Sequence, residues 1–174
     1  MKKSLIITAI AIITIILIIL FTSQINKEKE EAQIKNIETE NNMKLSSPTF
    51  QNNQRIPEKY TCEGEDINPP LEVSEIPRNA KSLVLIVDDP DAPIGTWDHW
   101  ILFNIPASTI KIEEDSISQG AIQGKNSWNK NNYGGPCPPL GTHRYFFKLY
   151  ALDTSLNLDK NAKKSNIEKA MQNH

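Results

Sequence analysis

The 174-residue chain has only two cysteines. That is too few for a disulfide-rich scaffold and too few for a four-thiolate zinc site. It also lacks a surplus of either charge, with 19 Lys+Arg against 21 Asp+Glu and a formal net charge of −2. Nucleic-acid binders need a basic surface that displaces counterions, so that class is excluded. No internal repeat or low-complexity tract follows Lys44. No G-x-S-x-G elbow or H-E-x-x-H pair occurs, and no serine stands in a recognisable nucleophile setting.

Apolar residues are concentrated at the start. From Leu5 to Phe21 every residue is apolar except Thr8 and Thr14, and Lys2 and Lys3 precede the run. A signal-peptide core usually spans ~7–15 apolar residues before a small-x-small cleavage site, and Phe21-Thr22-Ser23-Gln24 offers none. As a helix the run is ~26 Å long, enough for a thin hydrocarbon core. Residues 1–23 therefore read as a single uncleaved membrane anchor, ahead of a cleaved signal. A short tail before a first span is normally retained inside, which puts the following domain on the extracytoplasmic side. Residues 24–44 hold nine charges (Lys27, Glu28, Lys29, Glu30, Glu31, Lys35, Glu38, Glu40 and Lys44) and read as a solvated spacer, partly helical.

From residue 45 to 174 the chain reads as one domain. Its prolines, at 48, 57, 69, 70, 77, 90, 93, 106, 136, 138 and 139, leave no room for long helices. Leu83–Val87 is an apolar, β-branched run ending at Asp88-Asp89-Pro90, the pattern of a buried central strand. Trp100–Ile105 and Tyr145–Leu152 read as two more strands. The loops between them lack the helices that a parallel sheet requires. Ser165-Asn166-Ile167-Glu168 reads as a capping box opening a short helix. The fold class is mainly β, with antiparallel or mixed sheets packed face to face.

Polar chemistry gathers at the strand ends. Pro90 and Pro93 fix the backbone around Asp89 and Asp91. His99 sits at the start of the second strand. The third is entered through Gly134-Gly135-Pro136-Cys137 and Gly141-Thr142-His143-Arg144-Tyr145. Alternation puts His143 and Tyr145 on one face and Arg144 on the other. The glycine pair lets backbone N–H groups approach a ligand closely. A carboxylate near an imidazole favours its charged form, and both histidines, Tyr145 and loop N–H groups would then be donors for an anion. A carboxylate left over would receive an ammonium. Singly, each residue has a plainer reading. Asp89 and Asp91 form turns, His99 and His143 satisfy loop carbonyls, and Tyr145 and Trp100 fill core. Only their joint occurrence points to a site.

Tyr60-Thr61-Cys62-Glu63-Gly64 with Asn68-Pro69-Pro70-Leu71, Asp89-Pro90-Asp91-Ala92-Pro93, Asp98-His99-Trp100 and Gly134 to Tyr145 occur in that order. Together they resemble the phosphatidylethanolamine-binding proteins, also called Raf kinase inhibitor-like proteins, in wording closest to the bacterial and archaeal YbhB/YbcL-like branch. The resemblance runs from about Leu45 to His174. It implies a large central β-sheet backed by a smaller one, with helices at the C-terminal end. It also implies a pocket for phosphate-type anions lined by Asp89, Asp91, His99, Gly135, His143 and Tyr145. The implied activity is ligand binding rather than catalysis, without a cofactor. The ligand would be a small anionic or phosphorylated group, such as a phospholipid head group.

Two other readings stand beside this one. The first is a regulator that inhibits a protease or kinase through its surface, as some relatives do. The second is a metal-dependent hydrolase, because two histidines and a carboxylate are a known ligand set. Cys62 and Cys137 lie within matching segments. As a disulfide on the outer face of a membrane they would close a loop of about 75 residues, worth roughly 4 kcal/mol by chain entropy. Cytoplasmic relatives keep cysteines at similar places, so a pair of thiols is the other reading. Relatives usually continue past the segment matching Ala170–His174 into a last strand, which this chain is expected to lack.

Overall fold

A computed structural model of the protein describes residues 15–31 and 43–174. The chain separates into two compact units, Met1–Asn41 and Asn42–His174. In the first, residues 15–31 form a helix, α1. Thr22 Oγ1 donates to the Ile19 carbonyl at 2.9 Å, as a helical threonine can. The expected membrane span began at Leu5, so residues 5–14 of it lie outside the described residues, as do residues 32–42 of the expected spacer. Among the described residues, no helix is long and apolar enough to cross a membrane.

The second unit is built from seven strands. These are β1 (Lys44–Ser46), β2 (Leu71–Ser74), β3 (Ser82–Asp89), β4 (Trp97–Pro106), β5 (Lys111–Ile112), β6 (Ile122–Gln123) and β7 (Phe146–Leu152). A short helix, α2 (Lys164–Ala170), follows them. All the pairings are antiparallel, giving a small sheet in the order β1-β2-β5 and a larger one in the order β6-β4-β3-β7.

Every residue of β3 is buried, which is why its sequence shows no polar alternation. Leu83, Leu85 and Val87 face the small sheet, packing with Leu71 and Val73 of β2, Ile112 of β5, and Trp100 and Leu102 of β4. Val84 and Ile86 face the other way, onto Ile101, Phe103, Leu156 and Ile167 of α2. Each such aliphatic side chain contributes ~1.5–3 kcal/mol by burial, so the central strand is clamped from both faces.

Two bulges interrupt the β3–β4 ladder. The first falls between Leu83↔Ile105 and Leu85↔Leu102. There Asn104 takes a left-handed φ of 52° and its amide exchanges two hydrogen bonds with the Leu156 backbone. The second falls between Val87↔Trp100 and Asp88↔Asp98, so His99 has no partner across the ladder. Residues directly opposite share a face, which places Asp98 with Asp88 on the α2 side and Trp100 with Val87 in the inter-sheet core. Strict alternation along β4 would have turned His99 toward Ile101 and α2. The extra residue turns it to the other side.

Two local expectations need correction. The helix cap is not at Ser165. Lys163 is held extended in a bridge with Lys125, so the helix starts at Lys164 and Asn166 Oδ1 accepts the Lys163 N–H at 2.9 Å. The third strand starts at Phe146 rather than Tyr145. Its ladder with β3 ends at Asp88↔Phe146, and the Arg144 N–H is taken by Asp91.

Candidate functional site

Asp89 ends β3, the His99 bulge opens β4, and the 134–145 segment leads into β7. These are neighbouring strands, so their ends meet at one edge of the large sheet. Asp89 Oδ2 accepts from His143 Nδ1 at 2.7 Å, with both side chains at most 9% exposed. Asp89 Oδ1 accepts the Asp91 N–H at 2.8 Å, so the same carboxylate also shapes the Pro-rich turn. The His99 ring meets the Tyr145 ring edge to face, with centroids 5.2 Å apart. The structure thus brings Asp89, His143, His99 and Tyr145 together.

Asp91 faces outward. Its Oδ2 accepts from Arg144 N and Nε, each at 2.9 Å, and its Oδ1 accepts from Arg144 Nη2 at 2.6 Å. Those Arg144 contacts hold the Asp91 carboxyl well below the usual carboxylate range, the side-chain bonds first and the backbone N–H next. All four carboxylate oxygens of Asp89 and Asp91 therefore already have donors. Arg144 thus already gives Asp91 a cationic partner, and an ammonium expected at a leftover carboxylate would have to compete with it there.

The glycine pair also differs from expectation. The Gly134 N–H donates to His99 O at 3.1 Å and the Gly135 N–H to Asp66 Oδ1 at 2.6 Å, so both are engaged within the protein. Gly135 is required by close approach instead. A Cβ there would lie 2.5 Å from Tyr60 O and 2.8 Å from Thr61 Cα, both backbone atoms. The 133–137 segment is fastened to 60–66 by further links. Tyr133 Oη donates to Tyr60 O at 2.9 Å, Cys62 N donates to Pro136 O at 3.1 Å, and Cys62 is disulfide-bonded to Cys137, with Cα atoms 5.5 Å apart.

This fastening fixes the carbonyl that orients His99. Gly134 O lies 2.6 Å from His99 Nδ1, which therefore carries the proton, and the neutral ring keeps its lone pair on Nε2. Burial of the ring lowers its pKa below 6.5, against the Gly134 carbonyl and the Asp89 charge, which act to raise it. Trp128 covers the ring edge to face at 5.0 Å and itself contacts Trp97. The Tyr145 hydroxyl is buried without a well-formed hydrogen bond, the Cys137 backbone being its polar neighbour. Burial, then the nearby Asp89 carboxylate, push its pKa up to about 12, so it remains a proton donor. Trp128 and Asp66 escaped the sequence reading, since no spacing rule connects them to the strand ends. Alternation puts Arg144 only on the face opposite His143 and Tyr145, without its pairing to Asp91. A groove of about 290 Å³ lies alongside, lined by Trp97, Asp98, Lys125, Ser127 and Lys163 among others. None of the expected site residues lines it. Among the described residues, no group of three or more His, Cys, Asp or Glu side chains is placed to hold a metal ion.

Comparison with known proteins converges on one family. The family model described as phosphatidylethanolamine-binding protein matches residues 46–174. A UPF0098 protein of Methanothermobacter thermautotrophicus is 48% identical over 137 residues, covering 76% of this chain and 91% of its own. UPF0098 protein PH1269 of Pyrococcus horikoshii is 53% identical over 141 residues, covering 76% and 70%. Among solved structures, the phosphatidylethanolamine-binding protein homologue CT736 of Chlamydia trachomatis superposes with a TM-score of 0.73 at 42% identity, covering 76% of this chain and 89% of its own. YbcL of E. coli, described as a member of the mammalian PEBP family, gives 0.70 at 30% identity, covering 74% and 88%.

Proposed function

The chain belongs to the phosphatidylethanolamine-binding protein family, and we propose that it is a binding protein, not an enzyme, that takes phosphate and small phosphorylated groups between His99, His143 and Tyr145. One observation carries this reading. Both imidazoles are tied through Nδ1, His99 to Gly134 O and His143 to Asp89, so each keeps its Nε2 for a ligand, and that nitrogen donates to an anion once the ring takes up a second proton. The Tyr145 hydroxyl adds a donor, and an anion accepting from it would give a buried polar group the well-formed hydrogen bond that it lacks within the protein.

The same geometry narrows the ligand. With every Asp89 and Asp91 oxygen engaged, an ammonium on the ligand gains no free carboxylate. The phosphate is what the site reads, whether it comes as the free ion, a small monoester or a phospholipid head group. The apolar run Leu5–Phe21 would tether this domain at the extracytoplasmic face of a membrane. The Cys62–Cys137 bond supports that placement, since disulfides persist in oxidising compartments.

Isothermal titration of the full-length chain in detergent tests the proposal. Phosphate and phosphoethanolamine should bind with affinities within about threefold of each other, a difference of well under 1.4 kcal/mol. Ethanolamine should give no heat, and His99→Ala and His143→Ala should abolish the phosphate signal. Absence of heat with every phosphorylated ligand, or equal binding by the alanine variants, overturns it.

A further inference from the structure

Behind the site, on the α2 side of the large sheet, lies a charge network that anion binding does not use. Asp88 is fully buried, and its Oδ2 accepts from Lys148 Nζ of β7 at 2.8 Å and from Lys164 Nζ of α2 at 2.5 Å. The Lys164 ammonium also lies 3.3 Å from Asp98 Oδ1 of β4. One lysine thus bridges the two carboxylates that adjoin, in sequence, the site residues Asp89 and His99.

The bridge spans the bulge that aims His99. Asp88 and Asp98 are direct cross-strand partners, and like charges so placed repel. Lys148 serves Asp88 alone, so Lys164 is the cation that makes the pairing tolerable. Burial pushes the Asp98 pKa up, the Lys164 ammonium acts against it, and the Asp88 charge adds to the rise. In the unbulged register His99 would take the place of Asp98 opposite Asp88, facing Ile101 and α2, and Asp98 would stand opposite Asp89 on the other face, out of reach of Lys164. We propose that Lys164 is a positioning residue for the anion site: its ammonium, bridging Asp88 and Asp98 on the opposite face of the sheet, holds the β-bulge register that presents His99 beside Asp89 and Tyr145. This rests on the binding reading only for its functional consequence. The position of the His99 ring can be read without any ligand.

The test compares wild type with Lys164→Met, Lys164→Arg, Ile167→Val and the double variant Lys164→Met/Asp98→Asn, following the His99 ring resonances by NMR and phosphate binding by calorimetry. Lys164→Met should shift the His99 resonances and weaken phosphate binding by about tenfold or more, as misplacement of a binding group does. Lys164→Arg should retain both, and the double variant should restore the His99 signal, because the carboxylate left unpaired has been neutralised. Ile167→Val loosens α2 packing without touching a charge and should leave the His99 resonances unmoved. A folded Lys164→Met protein with wild-type His99 resonances overturns the proposal. If Lys164→Met does not fold, Lys164→Gln, which removes the charge but keeps a hydrogen-bond donor for Asp88, carries the same test, and an unmoved His99 signal there overturns it equally. Should wild type bind no phosphate, the binding reading falls while the His99 resonances still decide this one.

Discussion

Asp89 and His143 lie 54 residues apart in the chain, yet Asp89 Oδ2 and His143 Nδ1 are 2.7 Å apart, with little of either side chain exposed. The contact joins the end of β3 to the approach to β7, and it leaves Nε2 as the ring nitrogen that can face a ligand. Asp91 and Arg144 make a second link between the same two segments, but at the surface, where Arg144 is 71% exposed.

The two links should respond very differently to deletion. Asp89→Ala strips a partner from a buried imidazole and from the Asp91 N–H, and should cost ~2–3 kcal/mol together with phosphate binding. Asp91→Ala removes a solvated ion pair and should move the urea midpoint little. Denaturant unfolding of the two variants side by side checks the contrast, and equal losses would contradict it.

Ligand-free stability and anion affinity should move in opposite directions with pH. Burial holds the folded His99 pKa below its unfolded value of 6.5. The unfolded chain therefore takes up the proton first. The contribution to stability is complete above pH 6.5 and is lost as pH falls from there to the folded pKa. An anion favours the protonated ring, whose Nε2 can donate, so binding should strengthen over the same fall. Sulfate is the suitable probe because its own charge is constant across that range. Thermal unfolding with and without sulfate should show the stabilising increment growing as the solution is acidified. A constant increment would remove His99 from the anion's contacts.

Tyr145→Phe separates binding from folding. The hydroxyl is buried without a well-formed hydrogen bond, with only the Cys137 backbone beside it, so its loss should change the stability of the free protein by no more than ~1 kcal/mol. Phosphate affinity should nevertheless fall. A larger loss of stability would mean that the hydroxyl is well bonded in the free protein.

These contrasts also show what a linear sequence can carry. The apolar runs of β3 and β4 announced the central strands, because a strand buried on both faces is apolar along most of its length, and the aromatic run of β7 announced the neighbouring edge strand. Asp89, His99, His143 and Tyr145 were legible as one set from the family's spacing and from the prolines and glycines around them. Pairing register was not legible. The bulge that turns His99 to the site exists only relative to β3, and the short strands β1, β5 and β6 carry too few residues for a periodicity. Side-chain competition was equally hidden. Nothing in the spacing of Asp91 and Arg144 says that the guanidinium will claim the carboxylate reserved for an ammonium, nor that Asp66 will claim the Gly135 N–H.

The disulfide should matter to the site as well as to the fold. Cys62 and Cys137 are separated by 75 residues, for which chain entropy gives roughly 4 kcal/mol. The bond also fastens the segment that carries Gly134 O, the acceptor for His99 Nδ1. The Cys62→Ser/Cys137→Ser variant should therefore lose stability and, at temperatures where it stays folded, bind phosphate more weakly. Unchanged affinity in a folded variant would show that the remaining links from 60–66 suffice to hold the carbonyl.

Gly135→Ala tests those remaining links directly. The added Cβ would come within 2.5 Å of Tyr60 O and 2.9 Å of Asp66 Oδ1, and the backbone contact cannot be relieved by rotating a side chain. The 133–137 segment has to move away from 60–66, which loosens the Gly135 N–H bond to Asp66 and displaces Gly134 O from His99. Overpacking of this kind typically costs ~1–3 kcal/mol. The His99 ring, freed from its carbonyl, should then titrate differently and exchange between tautomers, which NMR of the histidine ring nitrogens would detect. Gly134→Ala provides the comparison. Its Cβ would meet the Trp128 ring at 2.6 Å, and that indole is partly exposed and can swing aside. The Gly134 variant should therefore expose His99 while keeping its Nδ1 proton on the carbonyl. Identical histidine titrations in the two variants would mean that the carbonyl does not set the tautomer.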